Sequence, residues 1–345
     1  QFGDGDVRFR GTQFSKGNVS FASAQFGDGN VSFDHAEFGD GEVSFFSAEF
    51  GDGEVSFWGA QFGDVGIRFD VAQFGDGGVS FHGTQFGGGY ISFNHAQFGD
   101  GDVSFDYAQF GENTDLRLIS IKAALTWSMS NLVFPAQILT EDCKFKKLAL
   151  NLCTFTNRVD LRGVDVEETD IRGTDFEKRI VMPSSHKCFG KLANRETANL
   201  LKDQALLRNN RIEAVYYHQK EKWYHLKETF PKNVTEWVPN FFNLVTNGYG
   251  VNWWLPLPFI LLFSLLVYPF CLWLGGGVEW VGFGEGFGAY LSNSLLFLVA
   301  PRITVMELGG LPKEALSPFV FYLSRGLLAI LYYQLIQAFR RNKPL

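Results

Sequence analysis

The chain has 345 residues but only four cysteines and three methionines. Cys143, Cys153, Cys188 and Cys271 form no Cys-x-x-Cys pair, which removes the common zinc and thiol-redox spacings. Two of them stand at inward-looking repeat positions, and all four read as small buried hydrophobes of a reducing compartment. No phosphate-binding Gly-x-x-x-x-Gly-Lys-Ser/Thr loop, Gly-x-Ser-x-Gly elbow or His-Glu-x-x-His pair occurs. His35, His82 and His95 follow inward phenylalanines in variable, exposed slots. His186, His218 and His225 lack a cysteine or carboxylate constellation suited to metal or nucleophile work. These absences predict a protein without catalytic activity and without a cofactor.

What is present is a twelve-residue repeat from Gln1 to about Phe110. One unit reads F-G-D-G-E-V-S-F-F-S-A-E from Phe38 to Glu49, and Phe2, Phe14, Phe26, Phe50, Phe62, Phe74, Phe86, Phe98 and Phe110 head the others. A fixed short period is the mark of a solenoid. Large apolar positions come in pairs two apart, Val43 with Phe45 and Ala48 with Phe50. That period belongs to short strands with one face turned in. Glycines such as Gly39 and Gly41 suit the corners between them. Each unit thus offers a seven-residue and a five-residue side. Two units would close a four-sided coil of about 24 residues, stacked at ~4.8 Å. A coil of about 12 would leave little room for two phenyl rings inside, so the longer one is preferred.

At that period Asp4, Asp28, Asp52, Asp76 and Asp100 form a column along one corner. The opposite corner reads Lys16, Asp40, Asp64, Gly88, Glu112. Stacked like charges repel. Side-chain bonds to backbone N–H groups of the turns would offset this, as would shared cations, which leaves the five aspartates as metal candidates. The Gly-Gly-x-Gly-x-Asp nonapeptide of calcium-binding rolls is absent. Phe46, Trp58, Tyr90 and Tyr107 occupy positions predicted to point outward, where an aromatic array suits a partner or a neighbouring subunit.

Charge is unevenly placed. The net value is −7, yet residues 1–110 hold 16 Asp/Glu against 4 Lys/Arg, a balance of −12 that leaves +5 for the remainder. An acidic rod joined to a basic, membrane-proximal half fits a cytoplasm-facing arrangement. The sequence starts inside the repeat without a Met, so it carries no reading of a signal peptide.

Residues 1–115 are assigned to this solenoid and 116–182 to its continuation, with 116–142 read as an irregular join. Beyond it Cys143-Lys-Phe145, Leu148-Ala-Leu150 and Cys153-Thr-Phe155 step by five. After a one-residue slip come Val159-Asp-Leu161, Val164-Asp-Val166, Thr169-Asp-Ile171 and Thr174-Asp-Phe176. The slice R-G-V-D-V-E-E-T-D-I-R-G-T-D-F (Arg162–Phe176) resembles the pentapeptide-repeat family. That resemblance implies a right-handed quadrilateral β-helix with Leu/Phe inside, of which the N-terminal unit would be a five-plus-seven variant.

The solenoid is predicted to end near Pro183, and 183–250 to form a helical connector. Leu200, Leu201, Ala205, Ile212, Val215 and Tyr216 fall at helical spacing, and Arg208–Arg211 makes a turn. Its charged face, with Lys202, Lys220, Lys222 and Lys227, reads as solvated surface or as a match for anionic headgroups. The remaining 251–345 is read as an α-helical transmembrane domain. Trp253 to Leu274 is a 22-residue run without a charge, long enough to span a bilayer and flanked by Trp253, Trp254 and Trp273. Pro256 and Pro258 fall in its first turn, and Pro269 is placed to kink it. A second span runs from Leu316 to Phe339, holds Arg325 and ends in Arg340, Arg341 and Lys343, which favours a cytoplasmic C-terminus. The glycine-rich 275–288 and the broken apolar 290–306 between them suit a re-entrant or interfacial segment.

The order of parts, down to Y-Q-L-I-Q-A-F-R-R (Tyr333–Arg341), resembles bacterial pentapeptide-repeat membrane proteins. The resemblance implies the bacterial inner membrane, with the lipid bilayer and a homo-oligomer or membrane-protein complex as partners. No Thr-Val-Gly-Tyr-Gly filter is present to carry potassium selectivity. Arg325 is an intramembrane charge, expected to pair with Glu307, Glu314 or a neighbouring subunit, to snorkel, or to serve function. Three roles are left: a membrane-anchored interaction scaffold, a channel-like oligomer with a solenoid vestibule, and an acidic mimic of duplex DNA that binds topoisomerases. Direct nucleic-acid binding is not expected.

Overall fold

A computed structural model describes residues 1–274 except 15, 124, 136, 179, 184, 231 and 251–253, together with 291, 294, 295, 298 and 318–341. The chain divides into two compact units, Gln1–Tyr217 and His218–Leu345.

The first unit is a parallel β-solenoid. Val7 pairs with Val31, Val31 with Val55, Val55 with Val79 and Val79 with Val103, always 24 residues on. A second ladder joins Val19, Val43, Ile67 and Ile91 in the same register. These belong to a nine-stranded and a seven-stranded parallel sheet. Two further ladders of Gln and Glu, such as Gln13–Glu37–Gln61 and Gln25–Glu49–Gln73, complete four sides. The 24-residue coil is thus the one formed.

Its interior is filled by phenylalanine together with valine and alanine, such as Val43 and Ala48. Phe33, Phe45, Phe57, Phe69, Phe81, Phe93 and Phe105 are fully buried. Rings 24 apart stack, with centroids 4.6 Å apart for Phe38–Phe62 and 5.0 Å for Phe33–Phe57. That is the spacing of neighbouring strands, so one pitch serves both ladder hydrogen bonds and ring stacking. The same pitch dictates glycine at the corners. A Cβ on Gly77 would lie 2.1 Å from the Gly53 carbonyl oxygen of the coil before it.

Residues 116–142 are not an irregular join. Strands Asp115–Ile119, Thr126–Ser130 and Gln137–Glu141 continue the stack. Leu116, Leu118, Ile121, Leu125, Trp127 and Met129 fill the interior in place of phenylalanine. The coil shortens here: Asp115 pairs with Gln137, Trp127 with Leu148 and Thr154 with Asp175, 21 or 22 residues on. The solenoid also runs past Pro183, because Thr169 pairs with Leu192.

Helix α1 (Arg195–Leu207) follows directly. It supplies side-chain acceptors to backbone donors of the last coil. Glu196 Oε1 accepts from the Gly173 N–H at 2.7 Å and Thr197 Oγ1 from the Ile171 N–H at 2.9 Å. Gln204 Oε1 accepts from the Ile180 N–H at 3.4 Å. The C-terminal edge of the sheet stack is therefore covered by a helix that replaces strand partners. Helix α2 (Arg211–Thr229) begins after the predicted turn and carries the chain into the second unit.

In the second unit, α3 (Val234–Asn247) is capped by Asn233, whose side chain accepts from the Glu236 N–H. It is followed by α4 (Pro256–Leu274) and, after residues outside the description, α5 (Pro318–Arg341). Among the described residues no helix is long and apolar enough to cross a membrane, which corrects the expected pair of spans. The expected span begins at Trp253, but the helix begins at Pro256 and has 19 residues, about 28 Å at 1.5 Å per residue. Helix α5 is longer, with 24 residues, but includes Arg325, Arg340 and Arg341. The expected re-entrant segment 290–306, with Glu307, Glu314 and the side chain of Trp273, lies outside the described residues.

Candidate interaction surface

Where the chain turns after each inward Phe, one corner residue takes a left-handed backbone. His35, Tyr107, Asn131 and Leu152 do so at φ 54–60° along one edge, with Gly11, Gly59, Gly83 and Gly173 between them. Two large side chains at this corner, His35 and Leu152, lie over a glycine in the next coil, Gly59 and Gly173. A Cβ on Gly59 would come within 2.7 Å of His35 Nδ1. The glycine is needed twice, for its left-handed φ and for the room it leaves.

The four outward aromatics divide between two sides of the coil. Trp58 and Tyr107 follow strands of the nine-stranded sheet and are exposed at 46% and 53%. Each meets an imidazole from an adjacent coil: His35 at 4.8 Å from Trp58, and His82 at 5.1 Å from Tyr107. His35, Trp58, His82 and Tyr107 thus come from successive coils and make one aromatic row along the axis. Asp34 and Asp106 border it, each accepting from a serine hydroxyl one coil on, Ser56 and Ser128.

Phe46 and Tyr90 lie on the seven-stranded side, and there the chain covers them itself. The Arg68 guanidinium sits 5.4 Å over the Phe46 ring and that of Arg117 5.4 Å over Tyr90. Arg68 also pairs with Asp70 at 3.3 Å. Tyr90 lies across Gly66 and donates its hydroxyl to Glu42 two coils away at 3.1 Å. Burial, then this bond to Glu42, raises its pKa above the ordinary value. Tyr90 is therefore half-buried in a side-chain network, whereas Phe46 stays exposed at 39%.

The aspartate column forms as the period predicts, and its carboxylates bond to backbone. Asp52 Oδ1 accepts from the Asp76 N–H and Asp76 Oδ1 from the Asp100 N–H, both at 3.2 Å. The donors are one coil on rather than in the same turn. Asp64 does the same for the Gly88 N–H at 2.8 Å and Asn30 for the Glu54 N–H at 2.8 Å. Among the described residues no three His, Cys, Asp or Glu side chains converge on a metal geometry.

Cys143 and Cys153 are buried, and burial raises both thiols, that of Cys153 to about 12. They are unreactive at neutral pH. The Arg325 guanidinium donates to the Leu298 backbone carbonyl at 3.0 Å. The carboxylates expected to face it, Glu307 and Glu314, fall outside the described residues.

From the sequence, His35 and His82 are expected only in variable, exposed slots. The signal that joins them to the aromatics is the 24-residue coil, which puts position 35 beside 58 and 82 beside 107 to within one residue. Together fold and surface define a parallel β-solenoid with an aromatic row along one edge. No family model matches the chain, and no curated protein matches it.

Proposed function

We propose that the protein is a membrane-anchored, non-catalytic interaction scaffold of the pentapeptide-repeat type, oligomeric at the bacterial inner membrane. The coil would be right-handed and quadrilateral, as the resemblance of Arg162–Phe176 implies. The observation that carries the reading is the row His35–Trp58–His82–Tyr107, in which Trp58 and Tyr107 are the most exposed aromatics of the solenoid. Rigid exposed aromatics at fixed spacing are what a partner surface selects, because little side-chain entropy is lost on docking. Helix α4, without a charge over its 19 residues, supports the anchoring part. Such a segment would hold the chain at the lipid bilayer and leave the solenoid on the cytoplasmic side.

A photo-crosslinking residue introduced at Trp58 in the full-length chain tests this in cells. A discrete adduct is expected that weakens at least tenfold with Tyr107→Ala, since that substitution removes part of the same row. Absence of any adduct at position 58, with efficient intrachain labelling as control, would remove the scaffold reading. Retention of the chain in membranes at alkaline pH checks the anchor independently.

A further inference from the structure

Helix α3 has one charged residue, Glu236, over its 14 positions. That carboxylate is engaged: it accepts from Asn233 Nδ2 at 3.2 Å and lies 2.7 Å from His225 Nε2. These contacts tie the start of α3 to the end of α2 and leave an outward stripe that is wholly apolar. Phe230, just before the helix, then Val234, Val238, Phe241 and Phe242 are all exposed. Spacing of three and four puts Val234, Val238, Phe241 and Phe242 along one face of α3, and the Phe230 ring lies 5.1 Å from that of Trp237. Single exposed hydrophobes need no explanation, but a contiguous stripe with two adjacent phenylalanines does.

Within the same unit α3 packs against α4 and α5. Their exposed side chains are of the same kind, Leu261, Leu262 and Leu266 on α4 and Leu323, Leu327 and Ile330 on α5. The apolar stripe of α3 is therefore continuous in character with helices whose outward surfaces are mainly leucine and isoleucine, joined on α5 by the exposed Tyr322 and Tyr333. At the approach to α3, Lys227 and Lys232 are exposed, and the Lys227 ammonium lies 3.7 Å above the Trp223 ring. Amphipathic long side chains of this sort suit a lipid–water boundary. Positions 218–247 hold four Lys and three Glu, so attraction to anionic headgroups is not what would hold the segment; apolar burial is.

We infer that α3 is an interfacial helix, lying along the headgroup boundary of a lipid bilayer with its Phe–Val stripe in the acyl region and the α2–α3 elbow in water. This rests on the membrane-anchored reading and adds to it a second, surface-lying contact beside the anchor. A lipid surface is the occupant because the stripe carries no polar group to pair with a protein, and because it shares a unit with helices of lipid-like exterior.

The test uses the full chain in a Cys188→Ser, Cys271→Ser background, since Cys143 and Cys153 are buried and unreactive. A nitroxide is placed through Phe241→Cys, and the protein is reconstituted into phosphatidylcholine vesicles with and without phosphatidylglycerol. Its relaxation is expected to respond severalfold more to oxygen than to a water-soluble nickel chelate, equally in both vesicles. A nickel-accessible label overturns the inference, as does a label shielded from both reagents, which would mean a protein cover such as a second copy. Insertion only with phosphatidylglycerol would overturn the apolar mechanism. Alkaline washing separates the two levels: a chain that leaves the vesicles refutes the anchor itself. One that stays with an aqueous label refutes only the place of α3.

Discussion

Phe57 is fully buried and stacks 5.0 Å from Phe33 on one side and 5.0 Å from Phe81 on the other. Phe57→Ala should cost about 3–5 kcal/mol, because a closed tube cannot collapse around the lost ring. Phe46, at 39% exposure on the outer face, should cost less than half as much when truncated. Urea unfolding of the full chain, followed by the fluorescence of buried Trp127, measures both. Equal losses would show that the rings do not stack as described. Asp160 is buried beside Arg158 and Arg162, 2.8 and 2.7 Å away. Burial pushes its pKa up, but bonds from Arg162 and then Arg158 prevail and hold it below the usual carboxylate value. A carboxyl lowered on folding stabilises above its unfolded value and loses that contribution as pH falls through its folded one. Asp160 should therefore keep stabilising the first unit until the pH falls below the ordinary carboxylate range. In Arg162→Met the loss should begin at higher pH, which a pH series of circular dichroism would resolve.

At the scale of elements, α1 does for the solenoid what another coil would do. Thr197 is fully buried, and its hydroxyl oxygen accepts the Ile171 N–H. Thr197→Val keeps the shape but orphans that donor, at a cost of roughly 1–3 kcal/mol. Hydrogen exchange at Ile171 should accelerate correspondingly, while exchange at Phe57 changes little. The Asp52–Asp76–Asp100 column is a second device between elements. Asp52 and Asp76 are engaged by the next coil's N–H, so neither calcium nor a chelator should move the unfolding midpoint. A rise of several degrees with calcium would revive the cation alternative.

Over the whole molecule, the C-terminal end of the solenoid is closed by α1. Stability in stacked repeats is a sum over coils and their interfaces. Amide protection should therefore stay level from Val55 and Val79 to Thr169, because α1 replaces the missing coil. A steep fall in protection toward Thr169 would contradict this picture. The aromatic row and the stripe of α3 belong to separate units, so substitutions in one should leave the readout of the other unchanged.

Much of the fold was legible because identical side chains stack in register. A period of twelve, the inward Val and Phe, and the room four rings require led to a 24-residue coil, and with it to the aspartate column. Residues 116–142 were not legible, since Leu, Trp and Met replaced the Phe-Gly-Asp punctuation just where the coil shortened. The length of α4 was misjudged because hydropathy counts residues from Trp253, while a helix counts from its first helical turn at Pro256. What the sequence by itself determined is therefore the set of columns, which follow from local period and side-chain volume. Only the tertiary structure decided which corner residues meet, such as His35 with Trp58 or Tyr90 with Glu42, and that a helix closes the stack. Those contacts join residues 23 to 48 apart, and such distances are set by how each coil closes, not by any preference in the intervening chain.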